Sequence, residues 1–400
     1  MDSSLYVFVE DLRGEGAAAV VDRAVGEYGV RGVTVGAAYH RTRDVTPHGA
    51  RRVTPRRDGA HFPIPDGLFT GRLRPPVQPG AEGRPLDDAR RETARRGAAL
   101  HGWAVFLRNE TLGEAHPDLT PEDCFGDRGA PADLCPANPP VREYAVDLAR
   151  AVARQGVDTV AAEALHFGEF GAEACAVPLG PMDAFLFGLC FCEWCLRQAE
   201  DFGVDAAAAR QECRRVVGAV LDGGPPAEGA VTRAALTAYA GPEVVAYARA
   251  RTETVTSLVS EVTAAVRAEG ARLVYLDPAG AAKGSADGAP TGPYAAHEAW
   301  RFGVDVVALG DIVPSYGVRA YARDPSRVGG DVSAYRRSLG AGTELRVVLR
   351  PGAPDTDSAE HLGAKVAAAR AAGADAVDFY HYGLVPYAVL ERIPEALVRQ

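Results

Sequence analysis

The segment VDTVAAEALHFGEF (157–170) and the cluster LCFCEWC (189–195) that follows it decide how the rest of the chain reads. Val157 to Ala162 is a short, mostly apolar run of the kind that forms a buried strand, and Glu163 stands where that strand ends. A carboxylate at the C-terminal edge of a strand is where a (β/α)8 barrel carries its reactive groups. Cys190, Cys192 and Cys195 form a C-x-C-x-x-C cluster dense enough to hold a metal ion.

Working outward, the same kind of run recurs on both sides. Before it come LYVFVE (Leu5–Glu10), GVTVGAAYH (Gly32–His40) and LHGWAVFL (Leu100–Leu107). After it come ARLVYLD (Ala271–Asp277), VDVVALG (Val304–Gly310), ELRVVLR (Glu344–Arg350) and ADAVDFY (Ala374–Tyr380). Segments with helical spacing separate most of them, for example 14–28, 86–97, 140–155 and 358–372. Strand and helix in alternation imply a parallel sheet, and eight units with polar residues at the strand ends imply a closed (β/α)8 barrel of α/β class. An open doubly wound sheet would carry a glycine-rich phosphate turn after its first strand, and GEG at 14–16 is too short for one. The expectation is a single barrel domain over residues 1–400, with long loops after strands two, three and four.

Composition narrows the partners. The net charge of −10 argues against a protein that binds nucleic acid by neutralising phosphates. No apolar run approaches the roughly 20 residues of a membrane span, and MDSSLYVFVEDL lacks the basic start of a leader, so a cytoplasmic location is expected. Seven cysteines, three of them crowded together, fit thiols or a metal better than a disulfide framework. A homo-oligomer is compatible with all of this.

In a barrel, residues just after each strand share one mouth. Strand one offers Glu10 and Asp11, strand two Tyr39 and His40, strand three Asn109, and strand four Glu163 and His166. Strand five offers Asp277, strand six Asp311, strand seven Arg350, and strand eight Tyr380 and Tyr382. Carboxylates, amides, imidazoles and aromatic rings in one cup suit a sugar: hydroxyls need paired polar partners, ring faces need aromatic platforms, and cleavage needs two carboxyl groups. Glu163, set among apolar residues in AAEALHF, is expected to be desolvated with a raised pKa, as a general acid requires. Asp277 before Pro278 and Asp311 after Gly310 read either as turn residues or as the second carboxylate, with the Glu10/Asp11 pair as a further source. Arginines 41, 43, 51, 52, 56 and 57 read as a solvated loop, or as a reservoir from which one or two reach the mouth to clamp an anion. Trp103, inside strand three, reads as core.

Four thiolates arranged tetrahedrally hold zinc in most structural sites, and such a saturated site leaves no position for a reactive water. The cluster supplies three sulfurs, and the fourth comes from Cys124, Cys135, Cys175 or Cys213.

LCPANPPVREYAVDLARAVA around Cys135, then Glu163, then CFCEWC, resembles the family 42 glycoside hydrolases of β-galactosidase type. The resemblance runs from about Trp103 to Cys195, and more loosely over the order of the whole barrel. It implies a structural zinc on Cys135, Cys190, Cys192 and Cys195, with Glu163 as acid/base. AAYH, HGWAVFLRN and FYHYGL also resemble a wider group of glycosidase-like barrels. Two departures stand out. The family's acid/base glutamate follows asparagine, where this chain has Ala162, and its nucleophile ends strand seven, where this chain has Arg350 and Pro351. The expectation is therefore a carbohydrate-active enzyme taking a small carbohydrate substrate, with Glu163 as acid/base and Asp277 or Asp311 beside it. The alternative is a barrel that has lost hydrolysis and binds or builds an anionic sugar-like ligand.

Overall fold

The structure, a computed structural model, describes residues 1–129, 131–170 and 177–398. Eight parallel strands close on themselves: β1 Ser4–Val7, β2 Gly32–Tyr39, β3 Ala99–Val105, β4 Thr159–Glu163, β5 Arg272–Asp277, β6 Ser315–Arg319, β7 Glu344–Leu349 and β8 Ala376–Phe379. Each pairs with its neighbours in chain order, and the Ser4–Gly32 to Val7–Val35 register between β1 and β2, with Leu5 opposite Phe379, shuts the barrel. Helices surround it, as the alternating pattern requires.

Period-two alternation sorts every strand into two faces. Outward residues such as Val33, Val160, Leu273, Tyr275, Val347 and Val377 pack against the helices. Inward residues fill the barrel: Tyr6, Phe8, Trp103, Val105, Ala161, Val274, Leu276 and Val348 form one cluster. The floor, at the strands' N-terminal ends, is polar. Arg346 donates to both oxygens of Asp378 at 2.9 and 2.7 Å, and Ser4 Oγ donates to the same carboxylate at 2.8 Å.

Two local features shape the mouth. A register shift between Gly36 and Ala38 lets Ala37 and Ala38 both pack outward, so Tyr39 turns inward where strict alternation would send it to the helices. The irregular stretch after β2 contains a hairpin, Thr42–Val45 with Val53–Arg56, and Gly59–Ala60, which pairs antiparallel to the end of β2. The hairpin's inner face carries Asp44 and Arg56, and the Arg56 guanidinium lies 3.4 Å from the Phe8 ring centre.

One expected strand is absent. VDVVALG forms the helix Val306–Gly310, because Asp305 Oδ1 accepts the N–H groups of Val307 (3.0 Å) and Ala308 (3.1 Å) and so caps a helix start. The sixth strand is SYGVR, immediately after Pro314. Asp311 therefore precedes β6 and sits exposed beside Arg272 and Thr343, at the opposite end of the barrel from the mouth.

Candidate active site and metal centre

Glu163 ends β4 with the inward parity of Ala161. Trp103 Nε1 on neighbouring β3 donates to its Oε2 at 2.7 Å, and Arg319, the last residue of β6, donates to Oε1. Burial pushes the carboxyl pKa upward, but Arg319 and His40, with the Trp103 and Arg319 hydrogen bonds, outweigh it and hold Glu163 below the usual glutamate value. The expected raised pKa is thus reversed by a charge from a strand the sequence pattern misplaced. Just beyond, Ala164 sits at φ 55, a left-handed conformation uncommon outside glycine, which turns the chain sharply out of the strand.

Around Glu163 the mouth is aromatic. Tyr39 meets Trp103 at 4.7 Å and Phe8 at 5.2 Å between ring centres; Tyr380 meets Trp103 edge-on at 5.8 Å and Tyr321 at 6.4 Å. Burial raises the pKa values of the Tyr39 and Tyr380 hydroxyls, so both remain neutral. His40 lies 4.4 Å from Tyr39; burial lowers its pKa, only partly opposed by Glu163. Asp44 bears on Tyr39, His40 and Tyr380 as Glu163 does, and Arg56 Nε donates to it at 2.8 Å.

Other expected site residues are engaged elsewhere. Asp277 shares the outward face of β5 with Leu273 and Tyr275. It is fully buried, accepting from Tyr335 Oη (2.9 Å), Tyr316 Oη and the Ala279 N–H (2.8 Å), and burial raises its pKa. It anchors β5 to the helix Pro325–Ser338 and does not reach the mouth. Tyr382 also faces outward, donating to Glu15 at 2.7 Å and accepting from Arg23 at 2.8 Å. Asn109 caps the helix Glu110–Ala115, its Oδ1 accepting the Leu112 N–H at 2.9 Å. Arg350 points toward the mouth but is spent. It donates to Asp355 (2.5 Å) and to the Gly284 and Ser285 carbonyls, and stacks 4.2 Å over Tyr321. Glu10 pairs with Arg56, and Asp11 accepts the Phe8 N–H at 2.8 Å, its carboxyl pushed up to about 7 by burial. His166 Nδ1 lies 2.8 Å from the Phe167 carbonyl, and burial lowers its pKa to about 4, keeping it neutral. The mouth thus gathers Glu163, Tyr39, His40 and Tyr380 from the expected set and adds Arg319, Trp103, Tyr321 and Asp44. Arg319 had a sequence signal, alternation within SYGVR, but the more β-branched VDVVALG nearby masks it.

The second centre lies behind the loops after β3 and β4. Cys135, Cys190, Cys192 and Cys195 are all buried, with their sulfurs within 4.8 Å of one another. Cys135 Sγ is 3.8, 3.6 and 3.4 Å from the other three. A tetrahedral zinc with Zn–S bonds of about 2.3 Å sets sulfurs about 3.8 Å apart, so the donor set fits a metal ion of that size. Cys124 and Cys213 lie elsewhere, and Cys175 is outside the described residues.

No family model and no curated protein sequence matches this chain. Solved structures do. An α-L-fucosidase isoenzyme 2 from Paenibacillus thiaminolyticus superposes with a TM-score of 0.58 at 12% identity, over 100% of this chain and 49% of its own. A β-galactosidase from the psychrophilic Marinomonas ef1 gives 0.58 at 14%, over 99% and 59%. The catalytic domain of a β-amylase from Paenibacillus polymyxa gives 0.55 at 9%, over 95% and 92%. This chain therefore spans about half of the fucosidase and three-fifths of the galactosidase. These likenesses show the fold, a closed barrel of eight parallel strands with helices around it. No described helix is long and apolar enough to cross a membrane.

Proposed function

We propose that this protein is a carbohydrate-active barrel, organised like the family 42 glycosidases, that handles a sugar or glycoside at the mouth around Glu163. The observation that carries this reading is an inward carboxylate at the end of β4, hydrogen-bonded by Trp103 and Arg319 in an aromatic cup. Its depressed pKa fits a base, or a negative charge facing a developing oxocarbenium ion, better than a resting proton donor. Asp44 is the second carboxylate, held on the hairpin by Arg56. Zinc on Cys135, Cys190, Cys192 and Cys195 would tie the loops after β3 and β4 together and take no part in chemistry. The non-hydrolytic reading, in which the barrel binds a sugar-like ligand, draws support from Arg350 standing at the end of the seventh strand and from the arginine carried by each carboxylate.

Turnover of a panel of aryl and alkyl glycosides tests both. Glu163→Gln and Asp44→Asn each lower turnover, Glu163→Gln by on the order of 10²–10⁴. Equal turnover by wild type and Glu163→Gln removes Glu163 from the mechanism. Saturable monosaccharide binding without turnover, weakened by Glu163→Gln, establishes the non-hydrolytic reading instead.

A further inference from the structure

The hairpin after β2 forms a two-stranded sheet of its own, Thr42–Val45 against Val53–Arg56, separate from the barrel. A lone two-stranded ribbon is marginally stable in water, so its ties to the rest of the molecule decide where its side chains aim. The outer face is free: Arg43, Val45, Val53 and Pro55 are exposed. On the inner side Arg56, near the root, pairs with Glu10 and lies over the Phe8 ring. At the tip the tie is His48. Its side chain is 7% exposed, with Nδ1 3.0 Å from Glu15 Oε1 and Nε2 2.9 Å from the Tyr382 carbonyl oxygen. The ring stacks on Tyr387 at 4.1 Å and meets Tyr382 edge-on at 5.0 Å. Glu15 is itself fixed. The Tyr382 and Tyr387 hydroxyls each donate to its Oε2 at 2.7 Å, and Arg23 donates to the same oxygen.

Asp44 lies between these two ties. It stands opposite Thr54, while Arg56 stands opposite Thr42 toward the root. His48 follows Asp44 after at most about 13 Å of chain. We propose that His48 is a positioning residue that pins the hairpin's tip to Glu15 and Tyr382 and so keeps Asp44 turned toward the cup around Glu163. This rests on the reading of Asp44 as the second carboxylate. With Arg56 as the remaining tie, the ribbon pivots over Phe8, and a displacement of about 1 Å at a reacting group costs on the order of a hundredfold in rate. His48 acts by geometry and not by proton transfer to a ligand, since both ring nitrogens already face protein acceptors.

The test compares the full chain with His48→Phe, which keeps a ring against Tyr387 and deletes both hydrogen bonds. Limited trypsin digestion reads the pin directly, because Arg51 and Arg52 stand exposed in the turn. Cutting there should be roughly tenfold faster in His48→Phe, the loss of about one net hydrogen bond's worth of closure. Turnover of the p-nitrophenyl glycoside that wild type cleaves fastest reads the consequence. His48→Phe should lower kcat roughly ten- to a hundredfold and leave KM nearly unchanged. His48→Gln, which still donates to one acceptor, should recover part of both effects, and it decides the matter alone if His48→Phe does not fold. A residue that merely stabilised the fold would lower kcat by the same factor in any background. In Asp44→Asn, adding His48→Phe should instead change kcat no further, because the group being positioned is gone. Equal trypsin cutting in wild type and His48→Phe overturns the inference and leaves the reading of Asp44 standing. So does a loss from His48→Phe that persists in full in Asp44→Asn. Asp44→Asn as active as wild type, or no cleavage by wild type, removes the reading itself and the inference with it, whatever trypsin shows.

Discussion

Removing Arg319 turns Glu163 from a satisfied anion into a stranded one. Arg319→Met preserves most of the side-chain bulk in the mouth and deletes the charge that opposes the burial of Glu163. Breaking a buried ion pair from one side costs about 3–5 kcal/mol. The Glu163 and Arg319 side chains retain 19% and 15% of their exposure, and Trp103 still donates, so about 3 kcal/mol is expected near neutrality. The pH dependence carries the diagnosis. In wild type the folded pKa lies below the ordinary 4.5, so the pair's contribution is present above that value and fades as pH falls through the folded pKa. In Arg319→Met burial acts unopposed by that guanidinium, and the folded pKa rises above the ordinary value. The variant's deficit is then largest at about pH 8 and shrinks toward pH 4, where protonation removes the stranded charge. Urea unfolding followed by circular dichroism at both pH values measures it. The double variant Arg319→Met/Glu163→Gln should recover most of the loss at pH 8, because a neutral amide tolerates the site. A deficit independent of pH, or a double variant no more stable than Arg319→Met, would refute the account of Glu163 as a buried anion.

Three further outcomes follow from the same geometry. Protein purified without chelator should carry about one zinc per chain, and chelation or Cys135→Ser should lower both zinc content and melting temperature; metal analysis and melting curves decide. Asp277→Ala should cost about 2–3 kcal/mol by orphaning the Tyr316 and Tyr335 hydroxyls, while Asp277→Asn should leave ligand binding at the mouth unchanged, since Asp277 faces the helices. Ala164→Val, a β-branched residue at φ 55, should lose about 1–2 kcal/mol in urea unfolding, whereas Ala164→Gly should not.

The barrel was legible because alternation of strands with helices survives local error: misplacing the sixth strand by one element left eight units in order. What alternation does not reveal is which face of a fully apolar strand points inward. In RLVYLD, Val274 and Leu276 line the barrel while Leu273, Tyr275 and Asp277 meet the helices, and both sets are equally apolar before the aspartate. Glu163 could be placed because it ends its strand among small residues, but its electrostatics depended on Arg319, which sits 156 residues away. The hairpin that brings Asp44 to the mouth lay inside a stretch whose proline and arginine content hides its pairing. The four cysteines were the most legible feature, since three of them lie on one short segment.

That cysteine arrangement also has a meaning for chain topology. Cys135 and Cys192 lie 57 residues apart, and the whole of β4 with Glu163 falls between them. A metal joining the two ends turns that segment into a closed loop, removing unfolded-chain freedom worth roughly 4 kcal/mol by loop-closure arithmetic. The strand that carries Glu163 would then be fenced at both ends by one knot of sulfur. Its departure from the barrel would require the metal to leave first, so loss of the ion should speed unfolding of this sector before it disturbs the rest of the sheet.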